Sequence, residues 1–193
     1  MGEVLRSWTM ARPDSNPNAQ PAPSAVIVSR YNETVTSVML DGAIGAYLGR
    51  GGVESDLAVL EAPGAYELVS IARAAASSGM YGSVICLGCV IKGETSHDLH
   101  ISSAVANGLA QITVATGVPI AFGVLTTNTN EQALARAGGD KGNKGAEAMS
   151  AALDAADAIA MLVHAQSTNS PGVRFTPGLS PNDKLSSHKQ ETR

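Results

Sequence analysis

His97 can give or take a proton near neutral pH, and it closes a run whose other members suit an anion: Lys92-Gly93-Glu94-Thr95-Ser96-His97. Glycine lets a backbone approach a ligand closely, and the free N–H groups of a helix beginning near Ser96 attract negative charge. Lys92 adds a positive charge. The run follows an almost continuous apolar stretch, Val84 to Ile91, interrupted only by Gly88. Three further groups stand at the same kind of junction, each after an apolar run: Tyr31-Asn32, Ala65-Tyr66-Glu67 and Thr126-Thr127. In a parallel sheet such junctions share one edge, and open α/β sheets bind their ligands there. An aromatic ring, a carboxylate, a histidine and an anion cradle gathered at that edge suit a planar polar substrate together with a phosphate.

Taken singly, each of these residues also has a plainer reading. Tyr66 and Phe122 are residue types found more often in cores than in sites. Glu67 near a helix start is favoured by the helix dipole without any ligand. His97 in a first helical turn can simply face solvent, and Arg136 and Lys144 read by default as solvated charges. The glycine-rich stretch GGDKGNKG resembles a phosphate cradle but is no Walker A, because Lys144 is followed by Gly145 rather than Ser or Thr. No Rossmann glycine fingerprint follows the first apolar run. Cys86 and Cys89 form a Cys-x-x-Cys, yet a zinc site needs a second ligand pair. Inside an extended strand their α-carbons stand about 10 Å apart, beyond disulfide reach. Buried small hydrophobes is the better description of both.

The elements that must position these groups alternate strand and helix. Strands are expected at 24–30, 57–61, 84–91 and 119–125. Helices are expected at 33–49, 65–77, 96–116, 131–137 and 146–163, with GGDKGNKG as a loop before the last. Runs without strict alternation fit strands covered on both faces. Gly51-Gly52 stops the first helix, Pro63-Gly64 turns the chain into the second, Gly117 with Pro119 ends the third, and the run Thr126 to Thr129 offers N-caps for the fourth. Four strands alternating with helices predict an α/β fold, a parallel sheet with right-handed crossovers and helices on both faces.

The totals fit one domain. The chain has 193 residues, 44% hydrophobic and 16% charged, with 20 glycines. Residues 1–23, rich in Pro, Asn, Ala and Ser, read as a flexible N-terminal arm with Trp8 as its one possible anchor; 24–165 is the folded domain, and 166–193 a disordered C-terminal tail. A formal net charge of −4 with no basic stripe gives no reason to expect nucleic acid. Reading the sequence finds no stretch of the roughly 20 apolar residues that span a bilayer, so no membrane is expected. The N-terminus lacks a charged-then-apolar signal pattern, so the expected location is cytoplasmic.

Several blocks, in register across 25–162, carry a resemblance: RYNE (Arg30 to Glu33), PGAYEL (Pro63 to Leu68), GCVIKGETSH (Gly88 to His97), FGVLTT (Phe122 to Thr127) and EQALARAG followed by GNKGAEA (Glu131 to Ala148). In these the chain closely resembles the lumazine synthase family, the penultimate enzymes of riboflavin biosynthesis. The resemblance implies a three-layer α/β/α fold with a four-stranded parallel sheet and flavodoxin-like topology. It implies a transferase that condenses 5-amino-6-(D-ribitylamino)uracil with 3,4-dihydroxy-2-butanone 4-phosphate. The products are 6,7-dimethyl-8-ribityllumazine, phosphate and water, with no metal or organic cofactor.

By position, the resemblance makes His97 the proton-transfer residue and Arg136 the clamp on the butanone phosphate, with Glu94 and Thr95 donating N–H bonds to it. Tyr31 stacks on the pyrimidine, while Ala65, Tyr66 and Glu67 line the ribityl chain. Backbone groups of Cys89, Val90 and Ile91 read the uracil edge. Phe122 closes the pocket from an adjacent subunit, and Lys144 lies near the site. The implied assembly is a homopentamer. The short connection from Arg136 to Lys144 is like that of members that build a sixty-subunit icosahedral shell, with riboflavin synthase a candidate partner inside; the prolines of the arm argue against the shell. Asp98-Leu99-His100 departs from the family's aromatic-rich pattern after the histidine. Lys92 stands for the usual arginine, Asp140 for a common lysine, and Tyr31 for phenylalanine or tryptophan. That altered stretch leaves a different class open, a weakly catalytic or non-catalytic shell or scaffold protein. A flavodoxin-like binder of phosphate ligands is a third, generic reading.

Overall fold

The computed structural model describes residues 20–169. The predicted arm, apart from its last four residues, and almost all of the predicted tail lie outside the described residues, as does Trp8. Two fully covered strands, β1 (Ser24–Ser29) and β3 (Ser83–Ile91), form the centre of a parallel sheet. β2 (Leu57–Ala62) and β4 (Ile120–Thr127) flank them in the order β2-β1-β3-β4. The order reverses between β1 and β3, which makes the crevice at their carboxyl ends the topological switch point of the sheet.

The absence of alternation in β1 and β3 has its cause in the two layers that cover them. Along β1, Val26 and Val28 face one side, where α1 (Glu33–Gly49) and α5 (Lys144–Ser167) bring Val35, Met39 and Met149. Ala25 and Ile27 face the other, where α2 (Leu68–Ser77) and α3 (His97–Thr116) bring Leu68, Val105 and Leu109. Burying each such Leu, Ile or Val side chain contributes about 1.5–3 kcal/mol. Small residues let the helices of each layer meet. A Cβ on Gly145 of α5 would stand 1.9 Å from the Met39 carbonyl oxygen of α1, and one on Gly108 of α3 would stand 2.8 Å from Val69 Cγ1 of α2. The edge strands are less covered, with Val59 of β2 and Phe122 of β4 each 44% exposed.

The predicted three-layer fold and its four strands are found, with departures at the joints. α2 begins at Leu68, because residues 65–67 form a turn. The stretch read as a loop contains a two-stranded antiparallel hairpin, β5 (Ala137–Gly139) and β6 (Gly142–Asn143), after α4 (Asn130–Arg136). α5 starts earlier than periodicity indicated because the Asn143 carboxamide accepts from the N–H groups of Gly145 (2.8 Å) and Ala146 (3.1 Å). It also continues to Ser167, past the predicted start of the tail.

A second correction concerns membranes. α5, with 24 residues and an 18-residue window whose mean hydropathy is 1.3 and which is 22% buried, is long and apolar enough by length and composition to cross one. Reading for apolar runs missed it because alanines carry the average. A core helix meets the same criterion, and α5 buries Ala148, Met149, Ala152 and Leu153 against the sheet and α1. Its Asp154 accepts from Arg50 at 2.8 Å, at the end of α1.

Candidate active site

The carboxyl ends of β1, β2 and β3 surround a cavity of about 480 Å³. Each strand hands over to its helix in a way that aims particular residues at it. After β1, Asn32 adopts a left-handed conformation (φ 58°, ψ 47°) that few residues other than glycine and asparagine tolerate. In that pose its carboxamide donates to the Cys89 carbonyl oxygen at 2.8 Å, tying the β1 junction to β3. Tyr31, one residue earlier, is left 73% exposed at the rim, free to lie against a planar ligand. After β2, the turn at 63–67 sets Ala65, Tyr66 and Glu67 along the wall. Gly64 is what lets this wall close. A Cβ there would stand 2.9 Å from Glu67 Oε2 and 3.6 Å from Tyr31 Cδ2, so the ring, the carboxylate and the turn converge.

β3 supplies the floor through Cys89, Val90 and Ile91, and the loop after it supplies Gly93 and Thr95. The Lys92 N–H donates to the Thr127 carbonyl oxygen at 2.8 Å, which holds the loop against the end of β4. α3 then opens at His97, so His97, Asp98 and Ile101 form the cavity's remaining side. Burial pushes the Cys86 thiol up to about 12 and the Cys89 thiol up to about 11, so neither offers a thiolate at neutral pH. They lie in the two different core layers, on opposite faces of β3.

Of the predicted site residues, the structure brings Tyr31, Ala65, Tyr66, Glu67, Cys89, Val90, Ile91, Thr95 and His97 around this one cavity. It sets four others outside its lining. Glu94 is exposed in the loop between Gly93 and Thr95. Phe122 pairs with Cys86 in register, near the start of β4, about 15 Å along the strand from the carboxyl edge. Arg136 closes α4, its guanidinium donating to the Gln132 carbonyl oxygen at 3.0 Å. Lys144 opens α5 and is ion-paired with Glu147. The Thr129 hydroxyl caps α4 by accepting from the Gln132 N–H at 3.3 Å, one of the predicted caps, and so fixes where Arg136 stands.

Gly64, Asp98 and Ile101 line the cavity without a site signal in the sequence, while Asn32 and Gly93 line it as members of the junction and the anion cradle expected there. An asparagine directly after a strand is a signal for the left-handed junction. Asp98 gave no such signal, since an acid in a first helical turn is ordinary.

A doubly wound parallel sheet with a cavity of mixed polar and apolar lining at its switch point defines an open α/β protein, a class whose ligands bind at the carboxyl edge. Within that class, residues 22–160 match the model of the 6,7-dimethyl-8-ribityllumazine synthase family, and the chain belongs to it. It is 44% identical over 135 residues to a protein of Desulfotalea psychrophila named 6,7-dimethyl-8-ribityllumazine synthase, covering 70% of this chain and 87% of that relative.

Proposed function

We propose that this chain is a transferase of riboflavin biosynthesis that condenses 5-amino-6-(D-ribitylamino)uracil with 3,4-dihydroxy-2-butanone 4-phosphate, releasing 6,7-dimethyl-8-ribityllumazine, phosphate and water. Family membership supports the reaction. The observation that carries the site is the convergence of Tyr31, Glu67 and His97 on one cavity at the switch point of the sheet.

In this reading Tyr31 stacks on the pyrimidine and the backbone of Cys89, Val90 and Ile91 reads its edge. Ala65, Tyr66 and Glu67 follow the ribityl chain, with Glu67 accepting from its hydroxyls. The N–H groups of Glu94 and Thr95 and the Arg136 guanidinium hold the phosphate, and fixed donors of this kind stabilise it as it leaves. Imine formation, phosphate loss and ring closure each require protons to move, and His97 is the residue at the cavity suited to moving them. Holding two small substrates side by side supplies much of the acceleration.

Phe122, Arg136 and Lys144 enter the cavity of an adjacent subunit in this reading, within a homopentamer. Their positions outside the chain's own cavity support it. The short β5–β6 hairpin between Arg136 and Lys144 favours closure of pentamers into an icosahedral shell, with riboflavin synthase as a candidate guest. The catalytic domain is 24–165, and the enzyme works in the cytoplasm. Mixing purified protein with both substrates should produce lumazine fluorescence; its absence would favour a scaffold role. Mass photometry should give the mass of a shell, and five subunits alone would overturn the closure.

A further inference from the structure

Asp98 is out of place for a first-turn helix acid. Such residues normally keep their carboxylates in water, where the helix dipole still favours them. Asp98 instead is 8% exposed, lines the cavity, and has its Oδ1 buried with no hydrogen-bond partner among the described residues. Ion pairs in the described residues join Arg50 to Asp154 and Asp157, Lys141 to Asp140 and Lys144 to Glu147, and none of them reaches Asp98. A buried polar oxygen left unpaired destabilises the fold, so a native protein that keeps one gives a reason to look for what it meets.

Its place in the cavity narrows the choice. Asp98, Ile101 and Val105 recur at helical spacing on the side of α3 that faces the core. Val105 packs in the same layer as Ala65, Leu68 and Val90. Asp98 therefore stands on the α2 side of the cavity, with the wall that carries Glu67. A carboxylate can only accept hydrogen bonds, so its ligand must bring O–H or N–H donors. Two carboxylates on that wall suit a chain bearing several hydroxyls, leaving the phosphate to the N–H groups of the loop around Thr95 on another side of the cavity.

We infer that Asp98 is a substrate-binding residue whose buried carboxylate accepts a hydrogen bond from a hydroxyl of the ribityl chain, sharing that chain with Glu67. The inference rests on the reaction proposed above and adds to it the residue that helps select a polyol-bearing pyrimidine. Asp98→Ala should raise KM for the ribitylaminouracil about tenfold, the size of a lost hydrogen bond to a charged group. The isosteric Asp98→Asn should raise it about threefold, keeping an oxygen but no charge. KM for the butanone phosphate should stay unchanged in both. With an analogue whose ribityl group is replaced by an alkyl chain of equal length, wild type and variants should have the same KM. An unchanged KM for the ribityl substrate in both variants overturns the inference, and so does an equal rise with the alkyl analogue. Should Asp98→Ala not fold, Asp98→Asn carries the same comparison. Calorimetric titration with the ribitylaminouracil alone reads the contact without turnover. Wild type that binds it but makes no lumazine sinks the proposed reaction while the Asp98 comparison still stands; wild type that does not bind it sinks both.

Discussion

The crevice between β1 and β3 and the corner beyond β4 carry the two halves of the same sequence-derived site, and they are built differently. At the crevice, one chain supplies a ring, a carboxylate, a histidine and a backbone floor around a single cavity. Arg136 and Lys144 at the corner, and Phe122 near the start of β4, are equally well anchored, by a helix cap, the Asn143 cap and strand register, yet none of them lines that cavity. The difference teaches that a chain can anchor a residue firmly without bringing it to the cavity at its own sheet edge. In the assembly proposed above, the crevice residues would meet the ligand directly, and Phe122, Arg136 and Lys144 would serve the cavity of a neighbouring subunit.

That contrast breaks most decisively at Arg136. If the corner serves the phosphate, Arg136→Ala should raise KM for the butanone phosphate about a hundredfold, since truncating a group that holds a charged ligand costs about 3 kcal/mol. KM for the ribitylaminouracil should move little. Steady-state kinetics with each substrate varied in turn reads both, and equal shifts would merge the two regions. His97→Ala should lower kcat by about tenfold to a hundredfold and leave measurable activity, because general acid–base help is one contribution and juxtaposition of the two substrates is another. A wild-type kcat in that variant would remove His97 from the chemistry.

How much of this was legible beforehand differs between the same two regions. β1 and β3 were readable because unbroken apolar runs have few explanations other than burial on both faces, and the junctions after them are where polar residues must converge. Strand order was not readable from periodicity, since nothing in β2 or β4 says which neighbour each pairs with; the family resemblance supplied the topology. The β5–β6 hairpin looks like a loop in the sequence because glycine-rich stretches hide a short antiparallel pairing. The start of α5 was missed for a more specific reason. Its N-terminus is set by Asn143, which also donates to the Val38 carbonyl oxygen of α1 at 2.8 Å, a long-range contact that no local pattern announces. Asp98 was overlooked because a sequence shows an acid in a first turn but not whether the surrounding chain has covered it.

Gly64→Ala sharpens the crevice side with a smaller effect. The added methyl would press on Glu67 Oε2 at 2.9 Å while barely touching the Tyr31 ring at 3.6 Å. The carboxylate is the far end of a flexible side chain and can yield, so folding should survive. KM for the ribitylaminouracil should rise about threefold, within the range of one weakened hydrogen bond. The alkyl analogue, which brings no hydroxyls for Glu67, should respond less. An unchanged melting temperature with unchanged KM for both compounds would mean that Glu67 does not meet the polyol.

The smallest expected effect lies in β3, the strand that both regions share. Its thiols have an ordinary value of 9.0 and are pushed by burial to about 12 at Cys86 and about 11 at Cys89. The folded chain therefore keeps protons that the unfolded chain releases once the pH passes 9. This contribution to stability is intact below pH 9 and declines through the window up to 11–12, by at most about 1.4 kcal/mol per thiol per pH unit. Tyrosines and lysines titrate in the same window, so the informative quantity is a difference. Thermal melts from pH 8 to 10.5 should fall less steeply for a Cys86→Ala, Cys89→Ala double variant than for wild type, even though the variant starts lower because two buried sulfurs are gone. Parallel slopes would mean that the strand under the cavity opens to water more readily than its burial implies, and a crevice floor that opens in that way could not hold the backbone of Cys89, Val90 and Ile91 rigid enough to read a pyrimidine edge.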